Sequence, residues 1–433
     1  VQKIILKRKQ GTRFTSGHPW VFSNELSSLP KYEAGSWVEL RAENGEALSV
    51  GYYNPHSLIS FRSLGRGLLK SDLSVADFLK WRILTSLRRR SKVGFSGTSF
   101  RLAFAEADEL PGLIVDAYLH AEERAYVWVF QPATAGAEKL LTELSGLFET
   151  FQKLSEEHLA LPLKAIVIKR NSQSRTREGL TLEASEICAG SWADADLMNF
   201  PVLLQDRLGQ NLVCRADLFT GQKTGFFLDQ THNIQLLTGL LEKVQWSQNP
   251  SSRPIKILDL CCYVGHWSLQ TMRELKRRGI EAEATLFDSS AKALAFAEKN
   301  VEFESFRSKK IQADALENLK ELEPQSFDLV ICDPPALIKS RGGYEAGKRA
   351  YVKINTDAMR LLKKGGLFVS SSCSGLLSEE DFFEVLAVSS AKAFSKSELS
   401  MQLLTRGGQG ADHPVLTGFP EGRYLKCWMG LLS

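Results

Sequence analysis

Asp259, Asp288, Asp314 and Asp333 stand at or just past the ends of successive apolar runs, separated by 29, 26 and 19 residues. In an open parallel sheet, ligands bind beyond the carboxyl ends of the strands, so polar residues at those ends are placed to do chemistry. A carboxylate after the second strand can accept both ribose hydroxyl protons, and one after the third can accept from an adenine amino group. Gly265, after the first strand, lets backbone approach a ligand closely. A dinucleotide calls instead for G-x-G-x-x-G. The stretch Cys261-Cys262-Tyr263-Val264-Gly265-His266 has one glycine and would accommodate a pyrophosphate poorly. Together with Asp333-Pro334-Pro335, the ladder points to S-adenosylmethionine, with Asp259, Tyr263, Gly265, Asp288, Asp314, Asp333 and Pro334 as candidate binding residues. Asp314 is the one that could equally be a helix cap.

Seven cysteines, at 188, 214, 261, 262, 332, 373 and 427, lack the paired spacing of a zinc site or disulfide framework. They are expected as reduced thiols, mostly buried, and no metal is expected. A thiol does covalent chemistry only as thiolate, which needs a polar, partly exposed setting. Cys373, between Ser372 and Ser374 at the end of an apolar run, meets that requirement. Cys332, directly before Asp333, competes but closes the apolar run 327–331. A packing role for Cys373 is the alternative.

The elements that must position these residues alternate from about residue 206. Strands are expected over 255–260, 282–287, 327–332 and 367–372, and helices over 266–277, 289–301, 357–363 and 379–389. That pattern is an α/β, doubly wound domain over 206–433. Residues 1–70 read as a β-rich module with strands near 4–6, 20–22, 37–40, 47–53 and 58–62, and Asn44-Gly45 as a hairpin turn. A helical linker follows over 71–95, opening at Ser71-Asp72, and then a small central α+β domain over 96–205, with strands near 125–130 and 165–168 around a helix over 137–147.

With 43% hydrophobic and 24% charged residues, the chain has the composition of a globular protein of two or three domains. No apolar run approaches the ~20 residues of a membrane span, and the basic start has no apolar signal region behind it, so a cytoplasmic protein is expected. The net charge of +4 conceals an asymmetry. Residues 1–95 carry sixteen Lys and Arg against seven Asp and Glu, and the remainder 38 against 43. Lys7, Arg8, Lys9, Arg13 and the run Arg88-Arg89-Arg90 with Lys92 would attract a polyanion; solvated faces without a partner are the alternative.

The stretches Gly17-His18-Pro19-Trp20-Val21-Phe22 and Gly51-Tyr52-Tyr53-Asn54-Pro55 resemble the PUA domain of RNA-modifying enzymes. Adding Leu110-Pro111-Gly112-Leu113, the run 221–230, Asp333-Pro334-Pro335, Ser372-Cys373-Ser374-Gly375, His413-Pro414 and the close at 420–426, nearly the whole chain resembles the PUA-containing class I ribosomal RNA large subunit cytosine-C5 methyltransferases. The resemblance implies large-subunit ribosomal RNA as partner; with the basic residues Lys7, Arg8, Lys9 and Arg13, the candidate contacts are His18, Trp20 and Arg62, Trp20 being equally a candidate core aromatic. It also implies that Lys223 closes over the cofactor, with Asp229 and Gln230 near its methionine end. C5 of cytosine becomes nucleophilic only after addition to C6, so Cys373 is expected to attack C6 and Asp333 to hold the ring, with Pro334 and Pro335 fixing its turn. His266 departs from the family in standing where a glycine is expected, which puts in question how closely backbone follows the cofactor there. The rival readings are a guanine N7 or N2 methyltransferase on the same fold and an inactive RNA-binding assembly factor. Oligomeric state, homodimer included, stays open.

Overall fold

The computed structural model describes residues 2–7, 12–70, 72–245 and 253–433. Its contacts divide the chain into two units: Val1–Leu204 with Ala216–Leu228 and Ala411–Gly422, and Gln205–Arg215 with Asp229–Gly410 and Arg423–Ser433.

The first unit begins with a five-stranded sheet in the order Gln2–Ile5, Ser36–Arg41, Ala47–Tyr53, Phe61–Gly65, Trp20–Val21; its first pair is parallel and the rest antiparallel. Alternate residues Ile4, Val21, Val38, Leu40, Tyr53 and Phe61 close one core. The strand expected over 58–62 starts only at Phe61, because Asn54 N–H bonds Ser60 O and closes a turn. Helix Val75–Lys92 begins at Ser74, whose Oγ accepts from Asp77 N–H at 3.1 Å; the expected start at Ser71 lies outside the described residues. A second five-stranded sheet runs Glu186–Gly190, Leu163–Ile168, Tyr126–Pro132, Leu113–Leu119, Phe100–Phe104. The helix expected over 137–147 covers Ala135–Leu140 and breaks into short turns near Thr142 and Gly146, both weak helix formers; helix Phe148–Leu159 follows.

The second unit is a seven-stranded sheet. Its elements are β1 (Ile255–Leu260), α1 (His266–Arg277), β2 (Ala282–Asp288), α2 (Ala291–Phe303), β3 (Arg307–Gln312), β4 (Phe327–Cys332), α3 (Tyr344–Arg360), β5 (Leu362–Ser372), α4 (Glu379–Ala393), β6 (Met401–Gly407) and β7 (Lys426–Leu432). Spatial order is β3-β2-β1-β4-β5-β7-β6, with β7 alone antiparallel to its neighbours. β1 supplies both faces: Leu258 and Leu260 join one core cluster, Ile255 and Ile257 the other, as a strand covered on both sides must. The helix expected over 357–363 is the last turn of the longer α3, and β5 already begins at Leu362. Among the described residues no helix is long and apolar enough to cross a membrane, and no three His, Cys, Asp or Glu are grouped to hold a metal ion.

Candidate active site

Strand order reverses between β1 and β4, and a crevice at the carboxyl ends of such a pair is where an open sheet binds ligands. The β1–α1 turn there is unusual: Cys261, Tyr263 and Gly265 all have positive φ, at 60°, 49° and 79°. Two non-glycine residues held in left-handed conformation are strained, and the turn is tied down by its own N–H groups, Cys262 N–H on Phe287 O at 3.2 Å and Gly265 N–H on Cys262 O at 2.8 Å. A side chain at 265 would bring Cβ within 3.1 Å of Ala297 Cα, so glycine also lets α2 pack closely.

Asp259 is fully buried beneath this turn. Its Oδ2 accepts from Ser268 Oγ at 2.7 Å and from Ser268 N–H at 3.2 Å, while Oδ1 has no hydrogen-bond partner among the described residues. Burial pushes its pKa up to about 7, with Ser268 opposing. Asp288, ending β2, receives Tyr263 N–H on Oδ2 at 3.0 Å and Ser290 N–H on Oδ1 at 2.8 Å, which ties the strained turn to β2. Asp314 is exposed past β3, with Oδ1 accepting from Leu316 N–H at 2.8 Å as in a turn cap. A strained backbone turn, a buried unpaired acceptor and a carboxylate after β2 fit an adenosyl ligand with an amino-acid tail. His266 is buried, and its Nε2 meets Gln270 Nε2 at 2.7 Å one turn along α1. Burial pushes its pKa down to about 3, so the ring is neutral.

Asp333 follows β4 with its carboxylate held at both oxygens. Gln230 Nε2 donates to Oδ1 at 2.8 Å and Trp267 Nε1 to Oδ2 at 3.0 Å. Asn233 Nδ2 donates to Gln230 Oε1 at 2.7 Å and fixes which way that amide points. Both oxygens thus act as acceptors. Pro334 is buried behind it, and Asp229 accepts from the Tyr424 hydroxyl at 2.6 Å. Nothing in the local sequence marked Trp267 or Asn233, and Tyr424 stood only within the 420–426 stretch, with no role assigned to it.

Cys373 follows β5, next to β4 in the sheet; Cys332 pairs in register with Ser370, so Asp333 and Cys373 leave the same edge. The serines on either side of Cys373 are fixed by one buried phenol: Tyr351 Oη lies 2.9 Å from both Ser372 Oγ and Ser374 Oγ. Cys373 is half-buried. Burial pushes the thiols of Cys188, Cys214, Cys261, Cys262, Cys332 and Cys427 upward, which makes all six poor nucleophiles near neutral pH. Cys332 is fully buried.

Lys223 lies in the first unit, exposed, with Nζ 4.5 Å from the centre of the Phe227 ring. Of the expected RNA contacts, Arg8 and Lys9 lie outside the described residues. Lys7 is exposed, with Nζ on Asn24 O at 2.8 Å, and Arg13 is half exposed on Glu421 at 2.6 Å. His18 is buried, accepting Trp20 N–H on Nδ1 and facing Glu421. Trp20 donates Nε1–H to Glu106 and packs on Phe419, and Arg62, 12% exposed, spans Glu106 and Glu178 at 3.1 Å each. The basic run at 88–92 is not wholly a surface field. Arg90 is buried in a bidentate pair with Asp108, at 2.7 Å on each oxygen.

A family profile described as a PUA-like domain matches residues 4–66, and one described as a methyltransferase domain matches 251–415. The ribosomal RNA large subunit methyltransferase I of Shewanella frigidimarina is 28% identical over 435 residues, covering 98% of both chains. That of Pseudoalteromonas translucida is 30% identical over 417 residues, covering 94% of both. The chain belongs to the ribosomal RNA large subunit methyltransferase I family. In this chain a PUA-like β module stands in the first unit and a class I methyltransferase sheet in the second. Solved structures agree on the fold: a SAM-dependent methyltransferase from Streptococcus mutans superposes with TM-score 0.72 at 17% identity, and a methyltransferase complexed with SAH with 0.73 at 16%, each covering all of both chains.

Proposed function

We propose that this member of the family methylates C5 of a cytosine in large-subunit ribosomal RNA, with S-adenosylmethionine as donor and Cys373 as the covalent nucleophile. The observation that carries the reading is the pairing of a half-buried thiol after β5 with a clamped carboxylate after β4, on the same edge of the sheet, while the competing Cys332 is fully buried.

Bound in the crevice, S-adenosylmethionine supplies an electrophilic methyl group on a sulfonium. Tyr263, Asp288 and Asp314 would hold its nucleoside, and Gly265 with Asp229 and Gln230 its methionine end. Asp259 supports the turn from below. The Cys373 thiolate adds to C6, and the electron pair of the C5–C6 bond makes C5 nucleophilic. C5 takes the methyl group, a base then removes the C5 proton, and the pair of the C–H bond re-forms C5–C6 as sulfur leaves. Asp333, fixed by Gln230 and Trp267, accepts from the cytosine amino group or the protonated N3 as charge develops on the ring. Extracting the base from its stack costs a few kcal/mol, which a front module gripping phosphates can offset. That grip is assigned to residues 1–70, with the exposed Lys7 and Arg13, together with Arg8 and Lys9, as phosphate contacts. His18, Trp20 and Arg62 shape the module from within. The helix over 71–95 and the α+β part over 96–205 hold this module, and 206–433 carries the chemistry, in the cytoplasm.

Nucleoside mass spectrometry of ribosomal RNA from a deletion strain tests the product. Loss of one 5-methylcytidine, restored by the wild type and not by Cys373→Ala, is expected; loss of a methylguanosine instead would refute the assignment.

A further inference from the structure

Lys426 begins β7, opposite Ser372 in the β5–β7 register, and is 6% exposed. Its Nζ lies 2.7 Å from Ser374 O, 2.8 Å from Leu377 O and 2.8 Å from Tyr424 O. Three carbonyl acceptors require three N–H donors, which an ammonium has and a neutral amine lacks. Two of those acceptors belong to the turn that directly follows Cys373. We propose that Lys426 is the positioning residue for Cys373: its ammonium pins the 374–377 turn to the end of β5 and supplies the positive charge against which the thiolate forms. The inference rests on the reading of Cys373 as the nucleophile.

Several groups surround this cation. Glu379, on the first turn of α4, favours its charged form, and so does Cys373; Arg423 opposes it. Glu379 is itself shared, receiving Arg406 at 3.1 Å and Arg423 at 2.9 Å, so it does not neutralise Lys426 alone. Tyr351 faces Cys373 from α3 through the two flanking serines. Burial pushes Lys426 down to about 8, still above neutral, so the charge persists at pH 7. Among the described residues this buried cation is held by carbonyl dipoles and feels a carboxylate that is shared, so a Cys373 thiolate, which favours the charged lysine, would serve as its counter-ion.

The test is the pH dependence of Cys373 alkylation by iodoacetamide, resolved by peptide mass spectrometry, in the full-length wild type, Lys426→Met and Lys426→Arg. In Lys426→Met the rate at pH 7 is expected to fall about tenfold and the midpoint to rise by about one unit, while Lys426→Arg restores most of the rate. An unchanged profile in folded Lys426→Met overturns the inference. If that variant does not fold, the wild type decides, since a midpoint at or above the ~8.5 of an ordinary thiol also overturns it. Methyl transfer by Cys373→Ser separates the two claims. Retained cytosine methylation would refute the nucleophile while leaving the alkylation profile to judge Lys426, and a lost activity with an unmoved profile would refute Lys426 alone.

Discussion

Replacing Trp267 with Phe removes one donor from Asp333 and leaves an aromatic ring in place. The indole Nε1–H sits 3.0 Å from Asp333 Oδ2, and Gln230 still holds Oδ1. A hydrogen bond to a charged group contributes about 1.5–3 kcal/mol. Asp333 is half-buried, so water can replace part of the loss and the lower figure applies. About 1.5 kcal/mol corresponds to roughly a tenfold fall in kcat/KM if the carboxylate acts on the cytosine ring. Trp267 is also in the core, 4% exposed, and the smaller ring should cost about 1–2 kcal/mol of stability, a separate readout. The assay is single-turnover transfer of labelled methyl to a ribosomal RNA fragment, with donor affinity measured by calorimetry. In an Asp333→Asn background the Trp267→Phe effect on transfer should shrink, because the two act through one contact. A stability loss without any change in transfer rate would show that Trp267 only packs, and the reasoning about Asp333 would be wrong.

Asp259 makes stability pH-dependent. Its folded pKa of about 7 lies above the ~3.9 of an unfolded Asp, so the folded state binds more protons and this group lowers stability as pH rises from about 4 to about 7. Asp259→Asn should therefore gain on the wild type across that window, by at most about 4 kcal/mol in urea denaturation at pH 8 relative to pH 4; parallel curves would contradict the burial argument. Arg90→Met takes the bidentate partner from the buried Asp108 carboxylate, leaving it Arg89 at 3.2 Å and Phe104 N–H at 2.7 Å, and should cost about 3 kcal/mol, whereas a loss below about 1 kcal/mol would mean the pair is not closed. His266→Gly should bring no large gain in donor affinity, since the ring turns along α1 to Gln270; a gain of tenfold or more would show that it obstructs the turn. Lys7→Glu with Arg13→Glu should weaken RNA binding and flatten its salt dependence while donor affinity holds; equal losses of both would end the division of labour between the two units.

The positions of β1, β4 and the end of β5 were legible because each is an apolar run closed by a chemically distinctive residue. So were the carboxylates of the ladder, since strand ends recur at regular spacing. β3 was not: Arg-Ser-Lys-Lys-Ile-Gln shows no alternation, and as an edge strand it uses lysines to avoid further pairing. Trp267 and Tyr351 were invisible because their partners, Asp333 and the serines flanking Cys373, come from other elements, and nothing local announces such contacts. Arg101, Glu106, Asp108, Arg175 and Glu178 sit in no local pattern from which a role follows. They are members of buried ion pairs in the first unit, such as Arg101 with Asp116 at 2.8 Å and Arg175 with Glu138 at 2.6 Å. Charge counting placed Arg90 on a basic surface; a bidentate partner eighteen residues away put it inside.

The central claim is a bond between Cys373 and C6 of cytosine. Ribosomal RNA containing 5-fluorocytosine blocks the final proton removal, so the adduct should accumulate with methyl donor present, and digestion should map it to the peptide bearing Cys373. An adduct at Cys332, or none with RNA that is otherwise methylated, would contradict the account.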